Sequence, residues 1–306
     1  MNPLTEKILA RDSRALARAA TGIEERRPEA EVLMRELFPH TGRAVVMGIT
    51  GPPGAGKSTL CDQLAAALRA EQKTVGILAV DPSSPYTGGA LLGDRVRMQR
   101  HHADPGVFIR SMATRGWLGG LARATTEMTL LLDAAGFDVV MVETVGVGQD
   151  EVEIAGLANV TMVVLAPGMG DDVQAMKAGI MEIADVFIVN KADLPGAEKL
   201  ERELKASLTL AHRPDGWIPK VIAAVASEGR GIAEALAAAR EFRLRGTDGE
   251  RQAQIWAARL REMFRERLLE AIPAEEFTAA GKAVAERRAD PYSVLDAWSG
   301  QYGLRN

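Results

Sequence analysis

A glycine-rich segment, Gly51-Pro-Pro-Gly-Ala-Gly-Lys-Ser-Thr59, constrains the fold of this chain more than any other feature. It follows an apolar run at 44–50 and opens an amphipathic run that ends at Leu68. Glycines at a strand-to-helix turn let backbone N–H groups face inward, and the helix N-terminus adds further donors, so the segment suits bound phosphates. The pattern is typical of a P-loop. Its expected phosphate contacts are Gly51, Pro52, Pro53, Gly54, Ala55, Gly56, Lys57, Ser58 and Thr59.

Two side chains of this loop carry specific chemistry. Lys57 is expected to bridge the β- and γ-phosphates of a bound nucleotide, where its charge assists phosphoryl transfer. The Ser58 hydroxyl is expected to bind Mg²⁺. Both roles depend on the loop lying directly before a helix.

Short apolar runs alternate with longer amphipathic ones through the middle of the chain. The apolar runs span residues 44–49, 74–80, 107–109, 137–142, 160–165, 186–189 and 221–225. Such runs are typical of strands buried on both faces, while residues 57–69 and 197–210 show helical periodicity. We therefore expect an α/β fold: a mostly parallel, doubly wound P-loop NTPase sheet with helical N- and C-terminal extensions.

The base of the nucleotide is indicated by Asn190-Lys-Ala-Asp193, which follows the apolar run at 186–189. Guanine presents N1–H and a 2-amino group as paired donors, and the Asp193 carboxylate can accept from both. Adenine offers no donor at either atom, so a carboxylate facing it would stay unpaired. Asn190 is expected to support the loop, and the stem of Lys191 to cover the face of the base. The sequence thus predicts a GTPase.

Acidic residues at predicted strand ends form a second set of candidates. Asp81 and Glu143 end apolar runs, and Asp94 lies in Gly93-Asp94-Arg95. The carboxyl ends of parallel strands share one rim of the sheet, so these carboxylates can reach Mg²⁺ directly or through water. Catalytic roles are assigned to Lys57, Asp94, Glu143 and Gln149.

Glu143-Thr-Val-Gly146 occupies the place of the Asp-x-x-Gly signal of regulatory GTPases, in which the glycine N–H senses the γ-phosphate. Glutamine does not follow Gly146 directly; Gln149 comes three positions later. We therefore expect slow hydrolysis by the protein alone, and a faster rate if a partner orders Gln149, Asp94 or an arginine such as Arg95 or Arg97.

Helical patterns flank the central region. Residues 4–21 and 29–38 are predicted to form two helices, and Pro39 and Gly42 close that region. After Gly246-Thr-Asp-Gly249, helices are expected at 250–271 and 274–288, with a last turn from Pro291. We predict an N-terminal extension at 1–42, a GTPase (P-loop) domain at 43–245, and a C-terminal helical dimerisation extension at 246–306.

Apolar residues of the C-terminal extension recur at helical spacing and form one wide face. They are Ile255, Trp256, Leu260, Met263, Phe264, Leu268 and Leu269. This face could pack on the core of its own chain or on a second subunit.

Composition bears on location and partners. The formal net charge is -4, which provides no overall positive field for nucleic acid. The N-terminus lacks the pattern of a secretory signal, and the apolar runs are too short to cross a bilayer. The single cysteine, Cys61, suits a reducing compartment and is expected to lie in the core. We expect a cytoplasmic protein that binds neither nucleic acid nor membrane.

Four blocks of sequence together resemble the MeaB/ArgK/MMAA family of P-loop GTPases. They are Asp81-Pro-Ser-Ser-Pro-Tyr-Thr-Gly-Gly-Ala-Leu-Leu-Gly-Asp-Arg-Val-Arg-Met98, Glu143-Thr-Val-Gly-Val-Gly-Gln149, Pro167-Gly-Met-Gly-Asp-Asp-Val-Gln-Ala-Met-Lys-Ala-Gly179 and Asn190-Lys-Ala-Asp193. The resemblance extends to Asp290-Pro-Tyr-Ser293. It implies a homodimeric GTP/GDP- and Mg²⁺-binding chaperone that protects and reloads adenosylcobalamin-dependent methylmalonyl-CoA mutase or a related acyl-CoA mutase.

The resemblance also implies a third switch at residues 168–177 that relays nucleotide state to the mutase. Its expected participants are Asp171, Asp172, Gln174 and Lys177. The last base-binding loop of the family normally reads Ser-Ala-x, whereas this chain has Val225-Ala226-Ser227, so backbone N–H groups are left to contact guanine. Trp117 also departs from the small residue expected in its loop.

Other functions remain compatible with a P-loop. A nickel-type metal-delivery GTPase would need clustered cysteine and histidine, but this chain has one Cys and four His, and His101-His102 is interpreted as a solvated helix end. A kinase would need an acceptor pocket beside the γ-phosphate. A purely structural nucleotide binder would bind nucleotide without hydrolysing it.

Overall fold

The computed structural model describes residues 2–81, 98–101, 103–113, 120–144, 154, 156–169, 181–210, 213, 215–245 and 248–302. Seven strands of these residues form one sheet in which every neighbouring pair is parallel. They are β1 (Val45–Thr50), β2 (Val75–Asp81), β3 (Val107–Ala113), β4 (Val139–Thr144), β5 (Val160–Leu165), β6 (Val186–Val189) and β7 (Lys220–Ala223). The order across the sheet is β3-β2-β4-β1-β5-β6-β7, which confirms the predicted α/β class.

Helices precede, connect and follow the strands. In chain order they are α1 (Pro3–Leu9), α2 (Ser13–Glu24), α3 (Pro28–Leu37), α4 (Lys57–Ala70), α5 (Gly120–Ala134), α6 (Ala197–Leu210), α7 (Ile232–Arg243), α8 (Asp248–Ala271), α9 (Ala274–Ala285) and α10 (Pro291–Gln301). Helices α4 and α7 contribute to one core with Met47 and Val160 of the sheet. Helices α1, α2, α3 and α5 contribute to a second core that includes Leu78 and Val140, so both faces are covered.

The central strands are apolar because they are buried on both faces. Every residue of β4, β5 and β6 is buried. Helix α6 completes the cover of β5 and β6 with Leu200, Leu204 and Leu208. Cys61 is fully buried in α4, as predicted. Because all strands run the same way, their carboxyl ends gather at one rim.

The prediction of a single helix at 4–21 was wrong. The chain breaks it between α1 and α2, where Arg11 adopts a φ of 63°. The Asp12 carboxylate then accepts from the Ala15 amide at 2.8 Å and caps α2. Aspartate is a preferred N-cap residue, so Asp12 could have predicted the start of α2. The helical spacing of apolar residues continues across this position, and it favoured one uninterrupted helix.

The chain divides into two compact units, Met1–Gln252 and Ala253–Asn306. The second contains the rest of α8 together with α9 and α10. Within it, Phe277 of α9 and Trp298 of α10 make an edge-on contact with ring centroids 4.8 Å apart. Among the described residues, no helix is both long enough and apolar enough to cross a membrane. The domain boundaries at residues 42 and 245 stay predictions.

Candidate nucleotide-binding site

The glycine-rich loop joins β1 to α4 and has the left-handed backbone that glycine permits. The φ angles of Gly51, Gly54 and Gly56 are 137°, 78° and 89°. A Cβ atom on Gly51 would lie 2.0 Å from the Val164 carbonyl oxygen, and one on Gly56 would lie 2.4 Å from the Asn190 side-chain nitrogen. Glycine is therefore required at both positions for the loop to pack this closely.

Lys57 is the first residue of α4, and its side chain is buried at the loop. Its Nζ donates to the carbonyl oxygens of Gly51 and Pro52 at 2.7 and 2.9 Å. These contacts hold the ammonium beside the backbone of the loop. A phosphate seated on the loop would therefore meet this charge directly.

The carboxylate of Glu143, near the end of β4, lies at the start of α4. Ser58 Oγ donates to Glu143 Oε1 at 2.6 Å, and both side chains are buried. The β-sheet register explains the contact, since Glu143 is paired with Ile49 of β1, directly before the loop. Next to it, Thr144 Oγ1 donates to Thr50 Oγ1 at 2.9 Å and joins the ends of the two strands.

This donor set fits Mg²⁺. Hydroxyl and carboxylate oxygens are the ligands that magnesium takes from proteins, with waters and substrate phosphates completing its shell. Asp81 ends β2, where its neighbour Val80 is paired with Thr144, so the backbone brings the position to the same rim. Within the described ranges, no three Asp, Glu, His or Cys side chains are grouped to hold a metal by themselves.

Asn190 connects the glycine-rich loop to the loop that follows β7. Its side chain is 2% exposed. The amide nitrogen donates to the Ala55 carbonyl at 2.8 Å, and the amide oxygen accepts from the Ala226 N–H at 3.0 Å. One side chain thus sets the spacing between the glycine-rich loop and the loop that follows β7.

Lys191 and Asp193 of the predicted guanine loop are exposed, and Ala192 between them is half-buried. Lys191 adopts a φ of 55°, which turns the chain sharply after β6, and Asp193 lies beyond it at the surface. The Ala192 N–H donates to the Ala224 carbonyl at 3.0 Å, which ties this turn to the loop after β7.

Two of the three backbone N–H groups of the loop Val225-Ala226-Ser227 already donate hydrogen bonds within the protein. Val225 donates to the Arg230 carbonyl at 3.1 Å, and Ala226 donates to Asn190. Ser227 is exposed. The predicted backbone contact with guanine can therefore come only from the N–H group of Ser227 among these three residues.

Comparison with known proteins agrees with this geometry. The family model described as "Methylmalonyl Co-A mutase-associated GTPase MeaB" matches residues 16–277. The chain belongs to the MeaB family. A protein named "Putative GTPase PYRAB02490" from Pyrococcus abyssi is 46% identical, with 97% of this chain and 95% of that protein covered.

Two further MeaB-like proteins extend the comparison. "GTPase ArgK" of Escherichia coli strain K12 is 40% identical, covering 78% of this chain and 75% of its own length. A crystal structure titled "LAO/AO transport system kinase" superposes with a TM-score of 0.75 at 28% identity and covers 99% of both chains. These matches confirm the resemblance drawn from the sequence and the P-loop NTPase fold.

Several residues assigned from the sequence lie outside the part of this MeaB protein that the structure describes. They are Asp94, Gly146, Gln149, Asp171, Asp172, Gln174 and Lys177, together with Arg95, Arg97, His102, Trp117 and the side chain of Asp81. Their assigned roles remain predictions.

Sequence reasoning missed the contacts made by the start of the third-switch segment. Met169 Cε lies 3.7 Å from where a Cβ atom on Gly54 would be, and Pro167 Cβ lies 3.7 Å from the corresponding point on Gly196. The segment after β5 therefore lies close to both the glycine-rich loop and the turn that follows Asp193. Its position after a central strand was the available signal.

The interpretation of His101 as a solvated helix end was wrong. His101 is 6% exposed, and its Nε2 lies 3.1 Å from Asp62 Oδ1 of α4. Arg100 also donates to Asp62 Oδ1, at 2.8 Å. The histidine is thus part of a polar cluster that holds the chain against α4, and the surrounding charges of the sequence concealed its burial.

Proposed function

We propose that this chain binds and hydrolyses GTP, and that it uses this cycle as a chaperone of an adenosylcobalamin-dependent methylmalonyl-CoA mutase or a related acyl-CoA mutase. The observation that carries the nucleotide part is the Asn190 side chain, which hydrogen-bonds the phosphate loop and the base loop at once. Membership of a family described as mutase-associated GTPases supports the partner.

Three buried side chains are proposed to bind the phosphates and Mg²⁺. Lys57 neutralises charge on the β- and γ-phosphates, and Ser58 and Glu143 provide oxygens for Mg²⁺, with Asp81 and Asp94 as further candidates. Bound Mg²⁺ supplies charge neutralisation at the phosphates. Because the Ser58 hydroxyl already faces a carboxylate, it is positioned by the fold before any ion binds.

The base end selects guanine through Asp193. Replacement of Asp193 by asparagine exchanges one carboxylate oxygen, an acceptor, for an NH₂ group, a donor. The variant should therefore favour xanthine, whose 2-oxo group accepts a hydrogen bond where the 2-amino group of guanine donates one. We expect the Asp193→Asn variant to lose GTP affinity by about 100-fold and to gain affinity for XTP. Glu198→Gln, a change at an exposed acid five residues later, is the matched control. Unchanged GTP binding by Asp193→Asn would contradict the assignment.

Hydrolysis by the isolated protein is expected to be slow, because the groups that orient water, Gln149 or Asp94, act when a partner orders them. Single-turnover assays with and without purified methylmalonyl-CoA mutase measure this directly. A rate increase with the mutase supports the proposal. Fast turnover of the protein alone, unchanged by the mutase, counts against it.

Residues 168–177 are proposed to relay the nucleotide state to the mutase. The position of Met169 near Gly54 supports this, since the segment starts close to the phosphate loop. Replacement of Lys177 by alanine should leave GTP affinity unchanged and abolish the nucleotide dependence of mutase binding. A complex that still responds to GTP in this variant would remove residues 168–177 from the pathway.

A homodimer is proposed through the apolar face of α8. Leu260 and Phe264 are each 60% exposed although they are large and apolar, and Met263 lies between them. An apolar face of this kind is typical of an interface. The double change Leu260→Asp and Phe264→Asp should give a folded monomer by light scattering, while a control change at exposed Lys282 should leave the dimer intact. A dimer that survives the double change would refute this interface.

A kinase is the second candidate, because the crystal structure that this chain resembles at 28% identity is that of a protein named as a transport system kinase. Labelled GTP and ATP offered with candidate acceptors distinguish the two functions. Release of labelled phosphate to water supports the GTPase, and transfer to an acceptor supports the kinase. Equilibrium dialysis with nickel tests the metal-delivery alternative.

A further inference from the structure

Two buried threonines join the ends of the neighbouring strands β1 and β4. The last pair in the backbone register of these strands is Ile49 beside Glu143. Thr50 and Thr144 come one residue later and are the last residues of their strands. The Thr144 hydroxyl donates to the Thr50 hydroxyl at 2.9 Å, and both side chains are buried. This side-chain hydrogen bond therefore extends the connection between the strands to their carboxyl ends.

The threonine pair lies on the opposite face of the sheet from the oxygens proposed for Mg²⁺. Successive side chains of a strand point to opposite faces. The Glu143 side chain lies on the face covered by α4, where it accepts from Ser58 at 2.6 Å. Thr144 therefore shares the other face with Val140 and Val142, which belong to the core formed with α1, α2, α3 and α5. From there the pair can influence the nucleotide site only through the backbone.

Each threonine is covalently bonded to a residue of the site. Thr50 precedes Gly51, where the loop packs so closely that a Cβ atom would lie 2.0 Å from the Val164 carbonyl oxygen. Thr144 follows Glu143. A change in the spacing of the two hydroxyl-bearing residues would therefore move the glycine-rich loop relative to the Glu143 carboxylate.

The hydrogen bond allows a closer approach than apolar side chains would. Its two oxygens lie 2.9 Å apart, whereas carbon atoms in contact prefer about 3.5–4.0 Å. Two valines at these positions would have nearly the same shape but would hold the strand ends up to about 1 Å further apart. A misplacement of that size at a reacting centre can cost about 100-fold in rate. The spacing set by the hydroxyls is therefore large enough to matter at the site.

We propose that Thr50 and Thr144 are positioning residues for the magnesium end of the nucleotide site: their hydrogen bond holds the end of β4 against the end of β1, so that the Glu143 carboxylate stays beside Ser58. The inference rests on the proposed function, which assigns Ser58 and Glu143 to Mg²⁺. A pair that only stabilised the fold could be replaced by two apolar residues of the same shape at little cost. A pair that sets the spacing of the site could not.

The full chain with Thr50→Val, Thr144→Val or both changes separates these roles. Each single change leaves one buried hydroxyl without its partner and should lower the midpoint of urea unfolding, whereas the double change removes both hydroxyls and should bring the midpoint back towards the parent. Calorimetry with a non-hydrolysable GTP analogue measures the site. With Mg²⁺ present, affinity should fall about tenfold in both single variants and stay low in the double variant. In EDTA, all three variants should bind within about threefold of the parent.

Two matched changes serve as controls. Thr144→Ser keeps the hydroxyl and should retain the Mg²⁺-dependent affinity of the parent. Thr161 of β5 is paired with Gly48 of β1 and is also fully buried, but its hydroxyl has no hydrogen-bond partner in the part of the chain that the structure describes. Thr161→Val should therefore leave affinity unchanged with Mg²⁺ and in EDTA.

The outcomes distinguish this inference from the proposed function. A double variant that binds the analogue with Mg²⁺ as tightly as the parent would overturn the inference, because the threonine pair would then serve stability alone. An equal loss of affinity in EDTA would also overturn it, since the pair would then act on the phosphate loop and not on the magnesium end. A parent protein whose affinity does not rise with Mg²⁺ would refute the metal site itself, and the inference with it.

Discussion

Replacement of Asn190 by alanine should uncouple the two ends of the nucleotide site. The change removes the donor to the Ala55 carbonyl and the acceptor for the Ala226 N–H, and Asn190 itself is buried. A buried polar group left without a partner costs about 1–3 kcal/mol. The two losses together predict a decrease of about 2–6 kcal/mol in the free energy of unfolding.

The same change should weaken GTP binding. If about 2 kcal/mol of the loss reflects loops that are no longer held at the right spacing for the nucleotide, the dissociation constant for GTP rises about 30-fold. Calorimetry with GTP, paired with urea unfolding, measures both effects on the same preparation.

A matched control separates loop spacing from general stability. Asn159 is also buried, and its side-chain oxygen accepts from the Val46 amide at 2.8 Å, but it lies at the start of β5, away from the rim. Asn159→Ala should therefore lower stability by about 1–3 kcal/mol and leave GTP affinity within about threefold of the parent. If Asn190→Ala binds GTP as tightly as Asn159→Ala does, the bridging role of Asn190 is wrong.

Three further perturbations follow from the fold. Gly51→Ala would place a Cβ atom 2.0 Å from the Val164 carbonyl oxygen and should abolish GTP binding. Gly281→Ala, where nothing lies within 4 Å, should retain it, and nucleotide-binding assays on both variants decide. Asp185→Ala should lower the free energy of unfolding by about 3–5 kcal/mol in urea, because this fully buried carboxylate pairs with Arg213 and Arg251. Loss of exposed Glu203, 3.9 Å from Lys199, should cost less than about 0.5 kcal/mol, and equal losses would contradict the reasoning. Hydrogen bonding to Arg69 lowers the pKa of the Asp104 carboxyl. The ionised carboxylate therefore stabilises the fold above the unfolded pKa of about 4, and this stabilisation is lost as the pH falls through the lower folded pKa. In Asp104→Asn, the free energy of unfolding should depend less on pH over this acid range.

The sequence predicted the sheet well because the signals of its strands and helices are local. The bounds of β5, β6 and α6 agree with the apolar and amphipathic runs, since each run begins and ends at a polar residue or a turn. The glycine-rich loop could be placed because its function demands a strand before it and a helix after it. Asp193 was placed by the same reasoning from its preceding strand.

The unpredicted features depend on residues far apart in the chain. Asn190 meets Ala55 across 135 positions, and Ser58 meets Glu143 across 85, so local spacing could not give the partners. The burial of His101 depends on Asp62 in a helix that precedes it by almost 40 residues. A pocket at the starts of β1, β4 and β5 is also lined by Leu68 of α4 and Leu236 of α7, and these apolar residues look like ordinary core residues when each is considered alone.

The most direct test of the central claim is the ratio of dissociation constants for ATP and GTP, measured by calorimetry on the full chain with Mg²⁺ present. Asp193 can pair with both guanine donors and with neither edge atom of adenine, so GTP should bind at least about 100-fold more tightly than ATP. An ATP affinity within tenfold of the GTP affinity would contradict the assignment of this chain's site to guanine.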